Sequence, residues 1–459
     1  MKSLDSQIKF IQLREQFPQF VYQSYTFCLK NGTLLLKFKF SLSNKYTFEP
    51  ELQVPARRFY NWEAISPAQM ENLVFHIGMI ELISYWKLTC SPIIIIEPFK
   101  LSETQIAFWE KLYYHGLGEF FYLNGIQTSE SDFVNIKSVS DKTLSKMEIP
   151  LSRKVLIPVG GGKDSVVSLE LLRANHEVIP FIINPRSASS QCAQVAGFSE
   201  IQTAVVNRKL DPLMLQLNDL GFLNGHTPFS AMLAFVSLLV SAGAGLRYIA
   251  LSNESSANEP TVPGTQINHQ YSKSLDFERD FRNYVAQYIH AEMNYFSFLR
   301  PLNELQIAKL FSQFNAYHSV FRSCNVGSKT DSWCGKCPKC LFTWIILSPF
   351  IDQYKLEQLF NKDLLADQTL INTLDELSGH SAIKPFECVG TISEVNAALQ
   401  EVIQQTKTGA SPALLKHYQA QLSTKNVDNF HLESFLNEWQ SVHFLPANFE
   451  QLLKQALYD

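Results

Sequence analysis

The sequence lacks an excess of charge of either sign. Its 459 residues contain 39 Lys and Arg against 43 Asp and Glu, which gives a formal net charge of −4. The net charge therefore gives no support to a basic surface that binds nucleic acid, and we expect no nucleic-acid partner. Because 46% of the residues are hydrophobic and 18% are charged, the chain can bury an ordinary core, which excludes global disorder.

The sequence also lacks a secretory signal at its start, because residues 1–14 mix charges with short apolar pieces. The best candidate for a membrane span is the uncharged stretch 229–246, whose 18 residues reach the lower length for a span. It contains three serines and two glycines and lies between predicted strand–helix units. We interpret it as a buried core helix, and we expect a cytoplasmic protein with no membrane partner.

Three regions differ in their patterns, as expected for a chain about three times the ~150 residues of a typical domain. Residues 1–145 contain two β-prone runs separated by Asn31-Gly32, a strong hairpin signal, and predict an α+β N-terminal domain. Residues 150–350 alternate strands with helices, which predicts a parallel sheet with helices on both faces. Residues 351–459 lose this alternation and predict a helical C-terminal region.

A glycine loop follows the first strand of the second region and leads directly into a helix. Its residues are Gly160, Gly161, Gly162, Lys163, Asp164 and Ser165. At such a junction backbone N–H groups converge and the helix dipole favours negative charge. Lys163 adds a positive charge and Ser165 a hydroxyl donor, whereas Asp164 fits the site through Mg²⁺ or as a helix cap. The loop predicts a phosphate-binding site, and a capping turn without a ligand is the alternative.

Two common phosphate-binding motifs do not fit this loop. A Walker A loop has Ser or Thr directly after its lysine, where this sequence has Asp164, and the dinucleotide motif has glycine where this sequence has Ser165. The loop resembles the S-G-G-x-D-S motif of the ATP pyrophosphatase superfamily, although Gly160 replaces the first Ser. This resemblance implies an adenine nucleotide alpha hydrolase-like fold, cleavage of ATP between its α and β phosphates, and a loop that holds pyrophosphate.

Half of the eight cysteines lie in one short stretch. They are Cys324, Cys334, Cys337 and Cys340. Four thiolates at this spacing can close a tetrahedral Zn²⁺ site, and disulfides are rare in the cytoplasm. We predict structural Zn²⁺, with an iron–sulfur cluster or free thiols as alternatives. A phosphate loop followed by a late C-x-x-C-x-x-C also looks like 7-cyano-7-deazaguanine synthase.

A polar segment follows the late strand 248–251 and contains Glu254 and Glu259. In open α/β sheets, ligands lie beyond the carboxyl ends of the strands, so this segment is expected to face the glycine loop. The two carboxylates are candidates to hold Mg²⁺ or to contact a substrate. For any single residue of the segment, a solvated loop position is the alternative.

Longer segments resemble the ATP-dependent UDP-N-acetyl-α-D-muramoyl-L-alanyl-L-glutamate epimerases of peptidoglycan synthesis. These segments are residues 75–87, 116–124, 160–165, 252–259, 268–274, 333–350 and 384–391. The resemblance implies that ATP adenylates the carboxylate of the terminal L-glutamate of UDP-N-acetylmuramoyl-L-Ala-L-Glu. A side-chain base then removes the α-proton, reprotonation from the opposite face gives D-glutamate, and AMP and pyrophosphate are released.

This resemblance also implies a set of site residues and ligands. ATP, Mg²⁺ and a UDP-linked muropeptide are the implied ligands. The candidates for proton transfer are His269, Tyr271, Lys273 and Cys388, and spacing does not choose among them. Arg186, Arg208 and Arg279 are candidates by position to bind the anionic substrate.

Other functions of the same superfamily compete with this one. A tRNA-thiolating enzyme or a 7-cyano-7-deazaguanine synthase-like ligase would also use a pyrophosphate loop. The charge of −4 argues against tRNA, and the cysteines are better spaced for a metal than for sulfur transfer. A non-catalytic nucleotide sensor is a third hypothesis. The intact Lys163, Asp164 and Ser165 argue against it.

Overall fold

The computed structural model describes residues 2–259, 268, 271–406, 411–422 and 430–458. Within these ranges, eleven strands form one mixed sheet with α-helices around it. The strands are β1 Gln19–Lys30, β2 Thr33–Leu42, β3 Tyr46–Phe48, β4 Glu51–Val54, β5 Ile93–Ile96, β6 Asn135–Ser138, β7 Ser152–Pro158, β8 Val178–Ile183, β9 Ala204–Lys209, β10 Leu246–Leu251 and β11 Asn294–Ser297.

The helices follow the same chain order. They are α1 Lys2–Gln16, α2 Pro67–Trp86, α3 Glu103–Gly116, α4 Gly118–Leu123, α5 Glu130–Phe133, α6 Lys163–Arg173, α7 Ser187–Val195, α8 Leu213–Asp219, α9 Phe229–Ala244, α10 Leu275–Tyr288, α11 Glu304–Ser312, α12 Pro338–Leu347, α13 Gln353–Phe360, α14 Ile371–Ser378, α15 Ile392–Gln405, α16 Ala413–Leu422, α17 Leu432–Leu436 and α18 Ala447–Tyr458. In the described part of the chain after residue 350, all regular structure is helical, as the sequence predicts.

The predicted hairpin is confirmed. Strands β1 and β2 pair antiparallel, with Lys30 opposite Thr33. The two residues between them, Asn31 and Gly32, both have positive φ, at 51° and 74°. Two-residue hairpins favour this backbone because its twist matches that of the strands, and Asn-Gly adopts it readily.

The sheet runs in the order β11-β10-β7-β8-β9-β4-β2-β1-β5-β6, and β3 pairs with β2. The strands from β7 to β11 pair in parallel, which confirms the prediction for residues 150–350. Strand β4 then pairs antiparallel with β9, with Leu52 opposite Arg208. Both predicted regions, 1–145 and 150–350, therefore contribute strands to one sheet.

Strand β9 begins at Ala204, because Ser199 and Gln202 form a capping box around a short 3₁₀ turn before it. Helix α4 follows α3 closely and buries Phe120 and Phe121.

The uncharged helix α9 is buried along most of its length and ends at Gly245, which has a φ of 62°. A left-handed residue at this point is a common way to end a helix. This agrees with its interpretation as a core helix. Among the described residues, no helix has the length and apolar character needed to cross a membrane.

Gly78 lies within the buried helix α2, where alanine would ordinarily stabilise a helix by about 1 kcal/mol. A Cβ atom at this position would lie 1.9 Å from the Tyr22 hydroxyl and 2.9 Å from Phe38. Both rings are buried in the core, so the steric overlap of an added Cβ atom costs more than the higher helix propensity of alanine gains. We expect Gly78→Ala to lower the free energy of unfolding by about 1–3 kcal/mol in denaturant titration. An unchanged or higher stability would contradict this packing.

Candidate active site

A cavity of about 560 Å³ lies where three parallel strands end. Gly160 follows β7, Arg186 follows β8 and Asn253 follows β10, and all three line it. The carboxyl ends of parallel strands share one edge of the sheet, so residues distant in sequence meet there. The structure thus brings the glycine loop and the segment after β10 into one site.

Contacts with α7 and with its own serine hold the glycine loop in place. Gly161 has a φ of +88°, and a Cβ atom there would lie 2.7 Å from the backbone nitrogen of Ser189, so only glycine fits. Its N–H donates to Ser165 Oγ at 3.2 Å, and that hydroxyl donates to the Gly162 carbonyl at 2.9 Å. Gly162 is also the N-cap of α6. The loop thus lies at a helix N-terminus, where anions bind favourably.

The position of Lys163 in the glycine loop suggests that it contacts the phosphate, but its side chain does not line the cavity. Its side chain is only 4% exposed, and its Nζ forms ion pairs with Asp164 and Glu304. Burial alone would lower the pKa of Lys163, but the two carboxylates outweigh it and raise the pKa, so the ammonium stays charged. Among the described residues that line the cavity, the loop contributes Gly160, Gly162, Asp164 and Ser165 but not Lys163.

Two of the four proton-transfer candidates lie side by side. Lys273 lines the cavity, and its Nζ donates to Cys388 Sγ at 3.2 Å across 115 residues of sequence. Burial would lower the pKa of Lys273, but the negative charges of Cys388 and Glu254 raise it by more. Arg300 fixes the position of this lysine by donating to its backbone carbonyl.

The other two candidates have different positions. Tyr271 is buried, and its ring packs against His115 with 5.1 Å between the centroids. Burial is the largest cause that raises the pKa of the Tyr271 hydroxyl, and the nearby carboxylate of Asp276 adds to it. His269 lies outside the described residues.

The two predicted carboxylates differ in their surroundings. Glu254 is buried, and its Oε1 accepts from Ser256 Oγ at 3.3 Å. Glu259 is paired with Lys384 instead. Within the described ranges, the cysteines are the only group of three or more His, Cys, Asp or Glu side chains placed to share one ion. Mg²⁺ commonly binds through one or two carboxylates together with substrate phosphates, which is compatible with Asp164 at the cavity wall.

Two of the three predicted arginines do not serve the cavity, which corrects the prediction. Arg208 Nε and Nη2 donate to the buried Glu81 carboxylate at 2.7 and 2.9 Å, so this arginine is held in a structural ion pair. Arg279 lies 3.6 Å from Asp276, and its side chain is 50% exposed. Of these three arginines, only Arg186 lines the cavity.

Sequence reasoning missed two basic residues of the cavity wall, Arg322 and Lys339. The backbone N–H of Arg322 donates to the Gly161 carbonyl at 2.8 Å, which supports the glycine loop directly. The sequence contains a signal for both residues, because Arg322 lies two residues before Cys324 and Lys339 lies within the cysteine cluster. The cysteine segment, which contacts the loop through Arg322, carries these charges with it.

The four cysteines gather as their spacing predicts. Their Sγ atoms lie within 4.8 Å of one another, with separations that include 3.8 Å, 3.7 Å and 3.5 Å. A tetrahedron of thiolates around Zn²⁺ places its sulfurs about 3.8 Å apart. The backbone N–H of Gly327 also donates to Cys324 Sγ at 3.1 Å. The donor set and its geometry fit a zinc ion.

Two N-terminal segments that carry the family resemblance converge on residues 223–228. Lys87 Nζ donates to the Gly225 carbonyl, and Asn124 Nδ2 donates to the Asn224 carbonyl at 3.0 Å. The chain then continues directly into Phe229 and Ser230, which line the cavity. The ends of α2 and α4 therefore help to hold the segment that leads into the cavity wall.

The fold and the site define a mixed α/β protein in which a glycine loop and basic side chains surround one cavity. Residues 11–298 match the family described as the MurL N-terminal domain, and residues 317–432 match the MurL C-terminal domain. The chain belongs to the MurL family.

Curated relatives of this family carry one name. The UDP-N-acetyl-alpha-D-muramoyl-L-alanyl-L-glutamate epimerase of Salinispora tropica is 32% identical over 426 residues, which cover 88% of each chain. A protein of the same name from Micromonospora sp. is 32% identical over 423 residues, 88% of this chain and 90% of the relative. The one from Xanthomonas oryzae pv. oryzae is 34% identical over 369 residues, which cover 77% of this chain and 80% of the relative. The resemblance to the UDP-N-acetyl-α-D-muramoyl-L-alanyl-L-glutamate epimerase family is confirmed.

The cysteine geometry generates a prediction about metal content. We expect the purified protein to contain about one zinc per chain by elemental analysis, because the four thiols match one tetrahedral site. Cys337→Ala is expected to lose the metal, whereas Cys28→Ala, which removes an exposed thiol elsewhere, is expected to keep it. Iron with a visible charge-transfer band, or protein without metal, would contradict the zinc assignment.

Proposed function

We propose that this protein epimerises the terminal L-glutamate of UDP-N-acetylmuramoyl-L-Ala-L-Glu to D-glutamate in peptidoglycan synthesis, with ATP as the second substrate. The names of the relatives support the reaction. The observation that carries the proposal is the contact of Lys273 with Cys388 beside the glycine loop. It places two groups able to transfer protons next to a site suited to a phosphate.

ATP is needed because the α-proton of an amino acid is very weakly acidic beside a free carboxylate. Its removal would build a second negative charge next to the first. Transfer of AMP to that carboxylate neutralises it, and the α-proton of the acyl-adenylate becomes removable. Hydrolysis of the acyl-adenylate afterwards returns the carboxylate and releases AMP.

The glycine loop has the features needed for the first half-reaction. In an adenine nucleotide alpha hydrolase-like site, Gly160, Gly161, Gly162 and Ser165 would hold the departing pyrophosphate at the N-terminus of α6. Mg²⁺, when bound, would neutralise phosphate charge, and Asp164 is the carboxylate of the loop that faces the cavity. Lys163 does not line the cavity, and its charge is balanced by Asp164 and Glu304.

Cys388 and Lys273 supply the proton transfers of the second half-reaction. Inversion of a carbon centre requires removal of the proton on one face and its return on the other, so two groups are needed. For this, the α-carbon must enter between Cys388 and Lys273 and part their contact. A thiol beside an ammonium readily becomes a thiolate, which can act as the base, and the ammonium can act as the acid.

The substrate is a polyanion, and the cavity wall supplies matching charge. Arg186, Arg322 and Lys339 line the same cavity as the glycine loop. Arginine binds phosphate and carboxylate oxygens in pairs, which gives direction as well as attraction. These three residues are our candidates to hold the phosphates of ATP and of the UDP group.

The direct test incubates the protein with ATP, Mg²⁺ and UDP-N-acetylmuramoyl-L-Ala-L-Glu, followed by chiral analysis of glutamate and identification of the nucleotide product. We expect D-glutamate and AMP to form together, and neither to form when ATP or the muropeptide is left out. Release of ADP instead of AMP would overturn the acyl-adenylate route. Absence of D-glutamate would overturn the epimerase assignment.

The proton-transfer pair generates a second test. Loss of a group that transfers a proton lowers a rate by about 10²- to 10⁴-fold, so we expect Cys388→Ala and Lys273→Met each to reduce D-glutamate formation by that factor. Adenylation uses other residues, so AMP release is expected to continue. Cys28→Ala, at an exposed thiol away from the site, is the matched control. Full epimerisation by both variants would remove this pair from the mechanism.

A further inference from the structure

Lys163 is held by carboxylates that come from two parts of the chain. Its own neighbour Asp164 and the more distant Glu304 pair directly with its Nζ. Glu304 is the first residue of α11, and its side chain is also only 4% exposed. A buried ion pair of this kind holds its two partners in a fixed relation, because breaking it would leave a charge without compensation.

Glu304 is connected in turn to the start of α15. Its backbone N–H donates to Glu394 Oε1 at 2.6 Å. The other oxygen of that carboxylate, Oε2, accepts from the Thr391 N–H at 2.6 Å and from the Thr391 hydroxyl at 2.7 Å. Glu394 is thus fully occupied in joining the N-terminal ends of two helices, and it is 1% exposed.

Glu304 also packs against the segment that carries Cys388. A Cβ atom on Gly390 would lie 3.0 Å from Glu304 Cγ and 2.9 Å from Glu394 Oε2, so the backbone there approaches both carboxylates closely. Gly390 is two residues from Cys388, and its carbonyl accepts from Lys384 Nζ at 2.9 Å. Movement of Glu304 would therefore move this segment.

We propose that Glu304 is a positioning residue that couples the glycine loop to the Cys388 segment, and that Lys163 acts in this connection rather than as a phosphate ligand. This inference rests on the proposed function, because it concerns its two half-reactions. The loop contacts ATP, and Cys388 contacts the α-carbon. Glu304 touches neither, and keeps them in register through Lys163 on one side and Gly390 on the other.

The coupling has a measurable consequence. When the connection is broken, ATP is still consumed to form the acyl-adenylate, but the misplaced Cys388 transfers the proton slowly and hydrolysis releases L-glutamate unchanged. The amount of AMP released for each D-glutamate formed then rises. A residue that served stability alone would lower both products together and leave this ratio unchanged.

We test this with Glu304→Ala and Glu304→Gln. A misplacement of about 1 Å costs about 100-fold in rate, so we expect Glu304→Ala to reduce D-glutamate formation by about that factor while AMP release falls far less. Glu304→Gln keeps the size of the side chain and an oxygen that accepts from Lys163. We expect it to retain a ratio much closer to that of the wild type.

Gly390→Ala disturbs the same contact without removing a charge, and we expect it to raise the ratio as well. Glu81→Gln is the matched control, because it neutralises a buried carboxylate in an ion pair with Arg208, away from the cavity. A parallel fall of both products in Glu304→Ala and Gly390→Ala, or an equal rise of the ratio in Glu81→Gln, would overturn the proposal. A wild-type protein that makes no D-glutamate overturns the proposed function instead, before any variant is compared.

Discussion

The parallel direction of β7, β8 and β10 determines where the candidate active site lies. Their hydrogen bonds hold the three strands in parallel register, so the loops that follow them leave the sheet at one edge. The glycine loop, the turn with Arg186 and the segment with Asn253 therefore surround one cavity. Each further feature of the site, from Lys273 to the cysteine cluster, lies against this edge or supports a loop that leaves it.

Much of this arrangement can be predicted from the sequence, because several of its signals are local. The dipeptide Asn31-Gly32 alone predicts a hairpin. The glycine loop and the cysteine spacing can each be recognised within fewer than twenty residues of sequence. The alternation of strands and helices then predicts the parallel part of the sheet, and with it the edge at which the loops meet. The segments typical of the family add the narrower assignment that the relatives confirm.

What sequence reasoning missed depends on contacts between distant parts of the chain. Arg208 has the charge expected of a substrate ligand, but its partner Glu81 lies 127 residues away. Glu304 and Glu394 lie in the first turns of ordinary capped helices, and only the fold shows that both are buried and that Glu304 pairs with Lys163 of the glycine loop. Capping motifs are common, so this local signal does not distinguish a helix start from a part of a site.

The pairing of β4 with β9 also has a consequence for how the chain reaches its fold. It joins residues 51–53 to residues 207–209, so the outer edge of β4 has no partner until about 150 further residues have been synthesised. Unpaired strand edges recruit other chains, and charged side chains on the edge hinder this. Glu51 provides such a charge, and in the folded protein it pairs with Lys209 at 3.1 Å. Until β9 has been synthesised, the N-terminal half therefore presents an open strand edge to other chains.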